Sequence, residues 1–485
     1  MNFEKLLQTA PTVYFIGIKG TGMCALAELL HNSGYHVSGS DRDEAFYTDE
    51  ILKELGIPYY ESFAPEHVPA DAGLVIRSAA YSRDSNSEIA EAEKRGIPVL
   101  KYTDALGAYS ALFDSSGIAG VHGKTTTTAI AGTLMRGAGL PAQILAGSAV
   151  NAFRENGGFG GRSTLTLGNT YFVAETCEYR RHFLSFHPRR IILTSVESDH
   201  QDYYPTYESI RDAFIEYTKL LPLNGELIYC ADDPGAVEVA ESVNKGRVKL
   251  IPYGLNAKGD FKIVSLQTGE ERIALRVAGF PGELRLRLPG RHIALDAVAA
   301  LALTDSLVRA EYGEWTDARR ESVRCALEEF RGSRRRQEIL GEAGGILFMD
   351  DYGHHPTAIK TTLGGLREFY PRRRIVLSFM SHTYTRTAAL LDEFAASFAP
   401  ADRVVLHKIY GSAREVYRGG VSGRTLFEKT KALREGACYV EEPMEAVEVL
   451  KGILKPGDLF LTMGAGDNWK LGKALYGYYR ENGAQ

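Results

Sequence analysis

The sequence predicts an α/β fold divided into three parallel-sheet domains. Three observations predict it: the length, the alternation of short β-branched runs with helix-like stretches, and glycine turns joining strand to helix in separate regions. At 485 residues the chain exceeds what one hydrophobic core keeps filling, and about 150 residues per domain suggests three. With 44% hydrophobic and 24% charged residues, each domain can bury a core of its own, as in an ordinary globular protein.

The first domain is expected over residues 1–108. Strand-like runs at 12–18, 35–40, 73–77 and 97–100, with a helix-like stretch at 23–33, follow βαβ grammar. The pattern restarts around residues 105–117, which places the second domain over 109–330. A strand at 115–119, a glycine turn and a long helix from Lys124 open it, and strands at 171–174 and 190–195 follow. A β-rich insert from 248 to 288 and helices near 292–309 and 315–329 close it, and the glycine-rich stretch 156–162 reads as a loop. The third domain, 331–485, begins after Gly332 and an arginine run, with strands near 346–349, 373–378, 402–406 and 457–461. After Pro356, Ile359, Leu363 and Leu366 recur at helical spacing and should face a core. There is no repeat of 20 to 50 residues.

A formal charge of -5 gives no overall basic field, so neither nucleic-acid nor membrane-surface binding is expected. Five cysteines, at 24, 177, 230, 325 and 438, form no CxxC pair, and an odd number argues against a full disulfide framework. With no cleavable leader and no long uncharged apolar run, the expectation is a cytoplasmic protein without membrane insertion.

Gly120-Val121-His122-Gly123-Lys124-Thr125-Thr126 sits between a strand and a helix. Backbone amides and the helix N-terminus there can hold phosphate oxygens, with Lys124 on the β and γ phosphates and the Thr125 hydroxyl on Mg²⁺. The strict GxxxxGK[ST] pattern is missed, because Ile118 stands at the first glycine position; a plain strand-to-helix turn is the structural alternative. A second cluster, Gly17-Ile18-Lys19-Gly20-Thr21-Gly22, also joins a strand to a helix, and Asp41 closes the next strand. Its GxxGxG spacing suits a pyrophosphate-bearing ligand or a structural turn.

Glu175, and then Glu197, Asp199 and His200, follow strand-like runs. At the carboxyl ends of parallel strands such side chains can reach the crevice that Lys124 faces and bind Mg²⁺, or else cap the next helix. Asp350-Asp351-Tyr352-Gly353-His354-His355-Pro356 again lies between a strand and a helix, just after Arg331-Gly332-Ser333-Arg334-Arg335-Arg336. Those arginines suit a transferring phosphoryl group or a carboxylate, or form a solvated linker.

Taken in order, these stretches resemble the Mur ligases over essentially the whole chain. YFIGIKGTGMCALAELL resembles that family's UDP-binding loop, and GVHGKTTTT its ATP loop. AETCEYRRHFLSFHP and SVESDHQDYY resemble its central metal and substrate segments, and FRGSRRRQE, DDYGHHPT, SHTYTRT, IYGSAREVYRGG and TMGAGDNW its C-terminal set. The resemblance implies a Rossmann-like UDP-binding domain, a central P-loop ATPase-like domain and a Rossmann-like C-terminal domain. It implies a ligase that uses ATP and Mg²⁺ to join L-alanine to the lactyl carboxylate of UDP-N-acetylmuramate through an acyl phosphate, acting as a monomer or weak homodimer.

By motif match, Gly120, His122, Gly123, Lys124, Thr125, Thr126, His292, Arg336 and Asp351 would hold ATP. Thr125 and Glu175 fall on one metal site and His200 on a second. Gly17, Gly20 and Gly22 would take the UDP pyrophosphate, with Asp41, Ser78 and Asn86 on the same domain. Tyr352, His354 and Arg386 match positions around the amino acid and acyl phosphate, so Lys124, Glu175, His200, His354 and Arg386 form the implied catalytic set.

The chain departs from the family pattern in several places. Ile293 stands where the family has an asparagine that contacts adenine, Ser195 replaces an asparagine, and Thr383 stands where arginine is common near the amino-acid pocket. Phe214 falls near the carbamylated lysine of sister ligases. Other readings are a ligase adding another amino acid or a recycled peptide to the same UDP-sugar, a nicotinamide-dependent dehydrogenase using Gly17 to Gly22 and Asp41, and a Mur-like protein that binds without turnover.

Overall fold

The computed structural model describes residue 3 and residues 11–154, 161–243, 246–411, 415, 417 and 419–482. Residues 156–160 of the expected glycine-rich loop, and 412–414, 416 and 418 of the IYGSAREVYRGG stretch, lie outside the described residues. The chain forms two compact units. One comprises Met1–Glu197, Arg211–Lys262 and Asp296–Leu327; the other Ser198–Ile210, Ile263–Leu295 and Glu328–Gln485. Among the described residues no helix is long and apolar enough to cross a membrane.

In the first unit, β1 (Thr12–Ile16), β2 (His36–Ser40), β3 (Tyr59–Tyr60), β4 (Leu74–Arg77) and β5 (Val99–Lys101) form a five-stranded sheet in the order β3-β2-β1-β4-β5. All its pairings are parallel. β1 reads Thr-Val-Tyr-Phe-Ile and is buried throughout, as a central strand covered on both faces must be. The chain turns to opposite sides of β1 when it builds β2 and β4, so a crevice opens beyond the carboxyl end of β1. The strand stops at Ile16 rather than at the expected residue 18, because Gly17 takes a φ of +87°. The helix after it is Thr21–Asn32, two residues ahead of the expected start, since the Cys24 amide already bonds the Gly20 carbonyl.

The same unit holds a seven-stranded sheet of β6 (Asp114–Ala119), β7 (Ala142–Val150), β8 (Arg162–Thr166), β9 (Tyr171–Glu175), β10 (Arg190–Leu193), β11 (Gly225–Cys230) and β12 (Val248–Tyr253), in the order β12-β11-β10-β6-β9-β7-β8. Only β7 and β8 pair antiparallel. Residues 248–253 therefore do not belong to a separate β-rich insert, as the sequence suggested. They pair parallel with β11 across the helix Pro234–Glu241 and extend the main sheet. β7 was not foreseen: its alanines and glycine carry little strand propensity, and burial rather than intrinsic preference makes it a strand. Phe214, on the helix Tyr207–Thr218, is fully buried against the Phe183 ring with centroids 5.3 Å apart.

In the second unit β13 (Ile263–Gly269), β14 (Arg272–Val277) and β15 (Phe280–Leu286) make an antiparallel meander. β14 alternates Arg272, Arg276 outward with Ile273, Leu275, Val277 inward, the period of a sheet with one face covered. A second sheet of β16 (Glu338–Ala343), β17 (Ile346–Asp351), β18 (Arg374–Phe379), β19 (Arg403–Leu406), β20 (Ala437–Tyr439) and β21 (Asp458–Met463) runs in the order β16-β17-β21-β18-β19-β20. It is parallel apart from the β16–β17 hairpin. Ile359, Leu363 and Leu366 of the helix Pro356–Phe369 are buried as their spacing requires.

One core cluster of this sheet gathers Phe348, Val376, Val405 and Phe460 with Leu471 and Leu475 of the C-terminal helix, all fully buried. Phe348→Ala removes an entire ring from that close-packed layer. The expected loss is about 3–5 kcal/mol, read as a lower denaturant midpoint at unchanged m-value.

Candidate active site

In the first unit β6 ends at Ala119 and the chain turns through residues 120–123 into the helix Lys124–Ala138. Gly120 has a φ of +138°, and a Cβ on it would lie 2.0 Å from the Thr194 Oγ1; Gly123 has a φ of +81°, and a Cβ there would lie 2.5 Å from Asp296 Oδ1. Neither position admits a side chain, so the motif glycines are steric requirements of the loop. The loop is fastened to the end of β10: Val121 donates its amide to the Ser195 carbonyl at 3.0 Å, and His122 donates its amide to Ser195 Oγ at 2.9 Å. Ser195, flagged as a departure, is thus a loop anchor. Gly123 supplies no side-chain cap, so the first turn of the helix has the free N-terminal geometry that suits an anion.

The Lys124 ammonium donates to the Gly120 carbonyl and pairs with Glu178 at 2.9 Å. Burial alone would lower its pKa, but Glu178, Glu175 and Cys177 carry it above the usual lysine value, so the side chain stays charged. Thr125 Oγ1 donates to Glu175 Oε2 at 2.8 Å, and the Gly147 amide donates to the same oxygen at 3.0 Å. A hydroxyl and a carboxylate meeting at the end of β9 are hard oxygen donors that fit Mg²⁺. His122 Nε2 contacts the Glu197 carboxylate, and Thr126 is buried in the helix. Glu178 was not anticipated; its signal was its place three residues beyond the strand-end Glu175.

The other glycine loop is built by the same means. The amides of Gly17 and Ile18 both donate to the Ser40 carbonyl, at 2.8 and 3.1 Å. A Cβ on Gly17 would lie 2.9 Å from both Ser78 Cβ and the Tyr81 ring, and Gly20 opens the helix Thr21–Asn32 with no side-chain cap. Asp41 serves the loop from inside: its carboxylate accepts from the Lys19 amide at 2.8 Å, the Arg42 amide at 2.9 Å and the Tyr81 hydroxyl at 3.2 Å. Asn86 caps the helix Ser87–Lys94 through Oδ1 and keeps a buried Nδ2 with no partner. Glu88, unmarked in the sequence reading, accepts from Ser40, Tyr14 and the Ala64 amide, and so braces the strand whose carbonyl holds the loop.

Lys19 invites the expectation of a phosphate-binding cation, yet its side chain is fully buried. The ammonium donates to the carbonyls of Arg42 at 3.2 Å and Glu44 at 3.1 Å and to Glu61 Oε1 at 2.8 Å, with Asp49 at 3.5 Å. The Thr48 hydroxyl closes on the Lys19 carbonyl at 2.6 Å. Lys19 therefore ties the segment after β2 beneath the glycine loop.

In the second unit Asp199 and Arg386 form a buried ion pair, Arg386 Nε and Nη2 both donating to one oxygen, Asp199 Oδ1, at 2.9 and 2.7 Å. Each side chain is 5% exposed. Burial would raise the Asp199 pKa, but Arg386, His200, His354 and His355 hold it well below the usual carboxylate range. Asp199 and His200 do not cap a helix: the next begins at Tyr207, and His200 has a φ of +54°. His354 Nδ1 lies 2.9 Å from the Tyr352 carbonyl, which can only accept; the proton is therefore on Nδ1 and the Nε2 lone pair is open. Burial, with Arg386 and His382 nearby, pushes the His354 pKa well below the usual value, so the ring is neutral at pH 7.

Tyr352 lies under two guanidinium groups, Arg335 at 5.1 Å and Arg336 at 4.9 Å from its ring centroid. Arg335 is held by Asp350 at 2.9 Å, whereas the Arg336 charge acts on Asp351, whose carboxylate accepts from the Gln337 and Gly353 amides. Burial still raises the Asp351 pKa. The Gln337 amide donates to His292 Nε2 at 3.0 Å, and Ile293 is buried. Thr383 has a φ of +66°, a strained value for a β-branched residue, fixed by its amide bonding the Tyr410 carbonyl at 3.0 Å.

Three family models match the chain: the Mur ligase family catalytic domain over residues 12–114, the Mur ligase middle domain over 118–304, and the Mur ligase glutamate ligase domain over 335–466. The chain is 53% identical over 471 residues to a Treponema pallidum protein named UDP-N-acetylmuramate--L-alanine ligase, covering 97% of each. It is 36% identical over 462 residues to the protein of the same name from Borreliella burgdorferi, covering 95% of this chain and 97% of that one. Among solved structures, the UDP-N-acetylmuramate-alanine ligase MurC of Thermotoga maritima matches with a TM-score of 0.78 at 25% identity, over 97% of this chain and 99% of that one.

Two outcomes follow from this geometry. Asp199→Ala leaves the Arg386 charge buried without its partner and should lower stability by about 3–5 kcal/mol at pH 7. Because the folded-state pKa of Asp199 is depressed, the contribution is present above about pH 4 and fades in acid, so the gap in denaturant midpoint between variant and parent should narrow there. Lys19→Met should cost about 2 kcal/mol and speed amide exchange over residues 42–49, and adding Glu61→Gln should cost little more.

Proposed function

The chain belongs to the Mur ligase family, and on that premise we propose that it joins L-alanine to the lactyl carboxylate of UDP-N-acetylmuramate, using ATP, in peptidoglycan precursor synthesis. The observation that carries this reading is the pairing of two glycine loops in one unit, one with Lys124 and Thr125 beside Glu175 and the other with an uncapped helix start, in a chain 53% identical to a named UDP-N-acetylmuramate--L-alanine ligase. Within it, residues 1–108 bind the UDP-sugar, 109–330 bind ATP, and 331–485 bind the amino acid. The three family-model spans support that division. We assign the reaction to the cytoplasm, which suits five cysteines that form no disulfide, with the chain a monomer or weak homodimer.

The chemistry is positioning and charge neutralisation, with no covalent enzyme intermediate. Amides of residues 120–126 cradle the triphosphate, and Lys124 offsets charge on the β and γ phosphates as the γ-phosphoryl passes to the lactyl carboxylate. Thr125 and Glu175 are the residues that would hold Mg²⁺, with His200 at a second position, and the ion when bound neutralises phosphate charge. The acyl phosphate is then attacked by the amine of L-alanine. A neutral His354 takes a proton from that amine on Nε2, and Arg386, oriented by Asp199, offsets charge on the phosphoryl oxygens; the His354–Tyr352 and Arg386–Asp199 hydrogen bonds support these roles. His292, Arg336 and Asp351 serve the nucleotide, and Tyr352 the amino acid. Thr383 in place of the common arginine leaves the amino-acid pocket less charged.

Phosphate release from ATP and Mg²⁺ tests this. Release should require both UDP-N-acetylmuramate and L-alanine, with glycine and L-serine grading the Thr383 pocket. Lys124→Ala should lower kcat at least about a thousandfold while the protein stays folded. Release without any UDP-sugar, or none with any amino acid, would reject the assignment.

A further inference from the structure

Tyr102 has no role in the family motifs discussed above, yet it stands where the two glycine-loop regions of the first unit approach each other. It is the first residue of the helix Tyr102–Ser110, immediately after β5, and so lies beyond the carboxyl ends of the first sheet. Its ring lies flush against the start of the helix Thr21–Asn32: a Cβ on Gly22 would fall 2.7 Å from the ring Cζ and 2.8 Å from the hydroxyl oxygen. A side chain on Gly22 would therefore have to displace the Tyr102 ring. Tyr102 also lines a small cavity of about 70 Å³ together with Glu175, Thr176 and Cys177. One phenol thus borders both the amides of the first glycine loop and the carboxylate that partners Thr125.

A half-buried tyrosine hydroxyl ordinarily finds a hydrogen-bond partner. That of Tyr102 makes no hydrogen bond to any described residue and, on a half-buried side chain, stays open to a partner entering the cavity. Burial, with Glu175 and Cys177 close by, raises its pKa above the usual phenol value, so the group is a proton-bearing donor across the working pH range. A donor that cannot ionise, set against uncapped helix amides, complements an oxyanion. We propose that the Tyr102 hydroxyl is a further substrate-binding group, donating to a diphosphate oxygen of the sugar nucleotide alongside the Thr21 and Gly22 amides. This rests on the reading of the first glycine loop as the UDP-sugar site and adds to it a side-chain donor that no loop motif encodes.

Tyr102→Phe keeps the ring packed on Gly22 and removes only the hydroxyl. KM for UDP-N-acetylmuramate should rise roughly ten- to hundredfold with KM for ATP unchanged, and the dissociation constant for UDP alone, measured by calorimetry, should rise by a similar factor. The thermal midpoint of the variant without ligand should match the parent. Unchanged UDP and UDP-sugar affinity in the variant would overturn the proposal and reduce Tyr102 to a packing residue. So would a rise in KM for ATP at constant UDP-sugar KM, which would assign the hydroxyl to the other loop. Absence of UDP binding by the parent protein is a different result: it would overturn the reading of the glycine loop itself, and with it the role of Tyr102.

Discussion

The carbonyl of Ser40 accepts two amides, those of Gly17 and Ile18, and that shared acceptor sets the geometry on which the first glycine loop depends. It halts β1 at Ile16, two residues short of the expected end, and turns the next helix so that its uncapped amides face the crevice beyond the sheet. Ser40 is itself braced through its hydroxyl by the buried Glu88. The second loop repeats the device with different parts: Ser195 at the end of β10 accepts the Val121 amide on its carbonyl and the His122 amide on its hydroxyl. In each case a neighbouring strand end, through the hydrogen bonds it accepts, fixes the backbone of the loop.

Buried charge is handled by the same rule throughout. Lys19, Lys124 and Arg386 are each enclosed, and each has oxygen acceptors arranged around it. An unpaired ammonium or guanidinium in those places would be costly. The consequences differ with the partner. Lys19 is engaged mainly by backbone carbonyls and surface-reaching carboxylates, which makes it a fastening. Lys124 faces Glu178 beside an open helix start, which keeps a full positive charge where phosphate is expected. Arg386 is held by Asp199 on one edge and approaches His382 through Nη1, so the orientation of its guanidinium is defined.

Much of this was legible as pattern. The alternation of β-branched runs with amphipathic stretches announced parallel sheets, and strand–glycine–helix punctuation located both loops, because φ above zero and close backbone approach leave few residue choices. Misreadings arose where burial overrode local preference. Alanine-rich β7 is a strand because it is enclosed between β8 and β9, and 248–253 joined the main sheet because a helix of eight residues returns it parallel to β11. Lys19 sits in a motif that suggests phosphate contact, and only the positions of Arg42, Glu44 and Glu61 show that its charge is already engaged.

The sequence by itself determined the α/β class, the two phosphate-type loops, and the acidic and imidazole residues at strand ends, because each follows from local periodicity or from spacing within a few residues. Tertiary structure alone decided which side chains meet. Asp199 and Arg386 are 187 residues apart, Thr127 and Asp296 are 169 apart, and Tyr102 reaches Gly22 from the far edge of the sheet. No local pattern carries such pairings, since they are fixed by strand order and packing, and for Asp199 and Thr127 by burial that requires a polar partner.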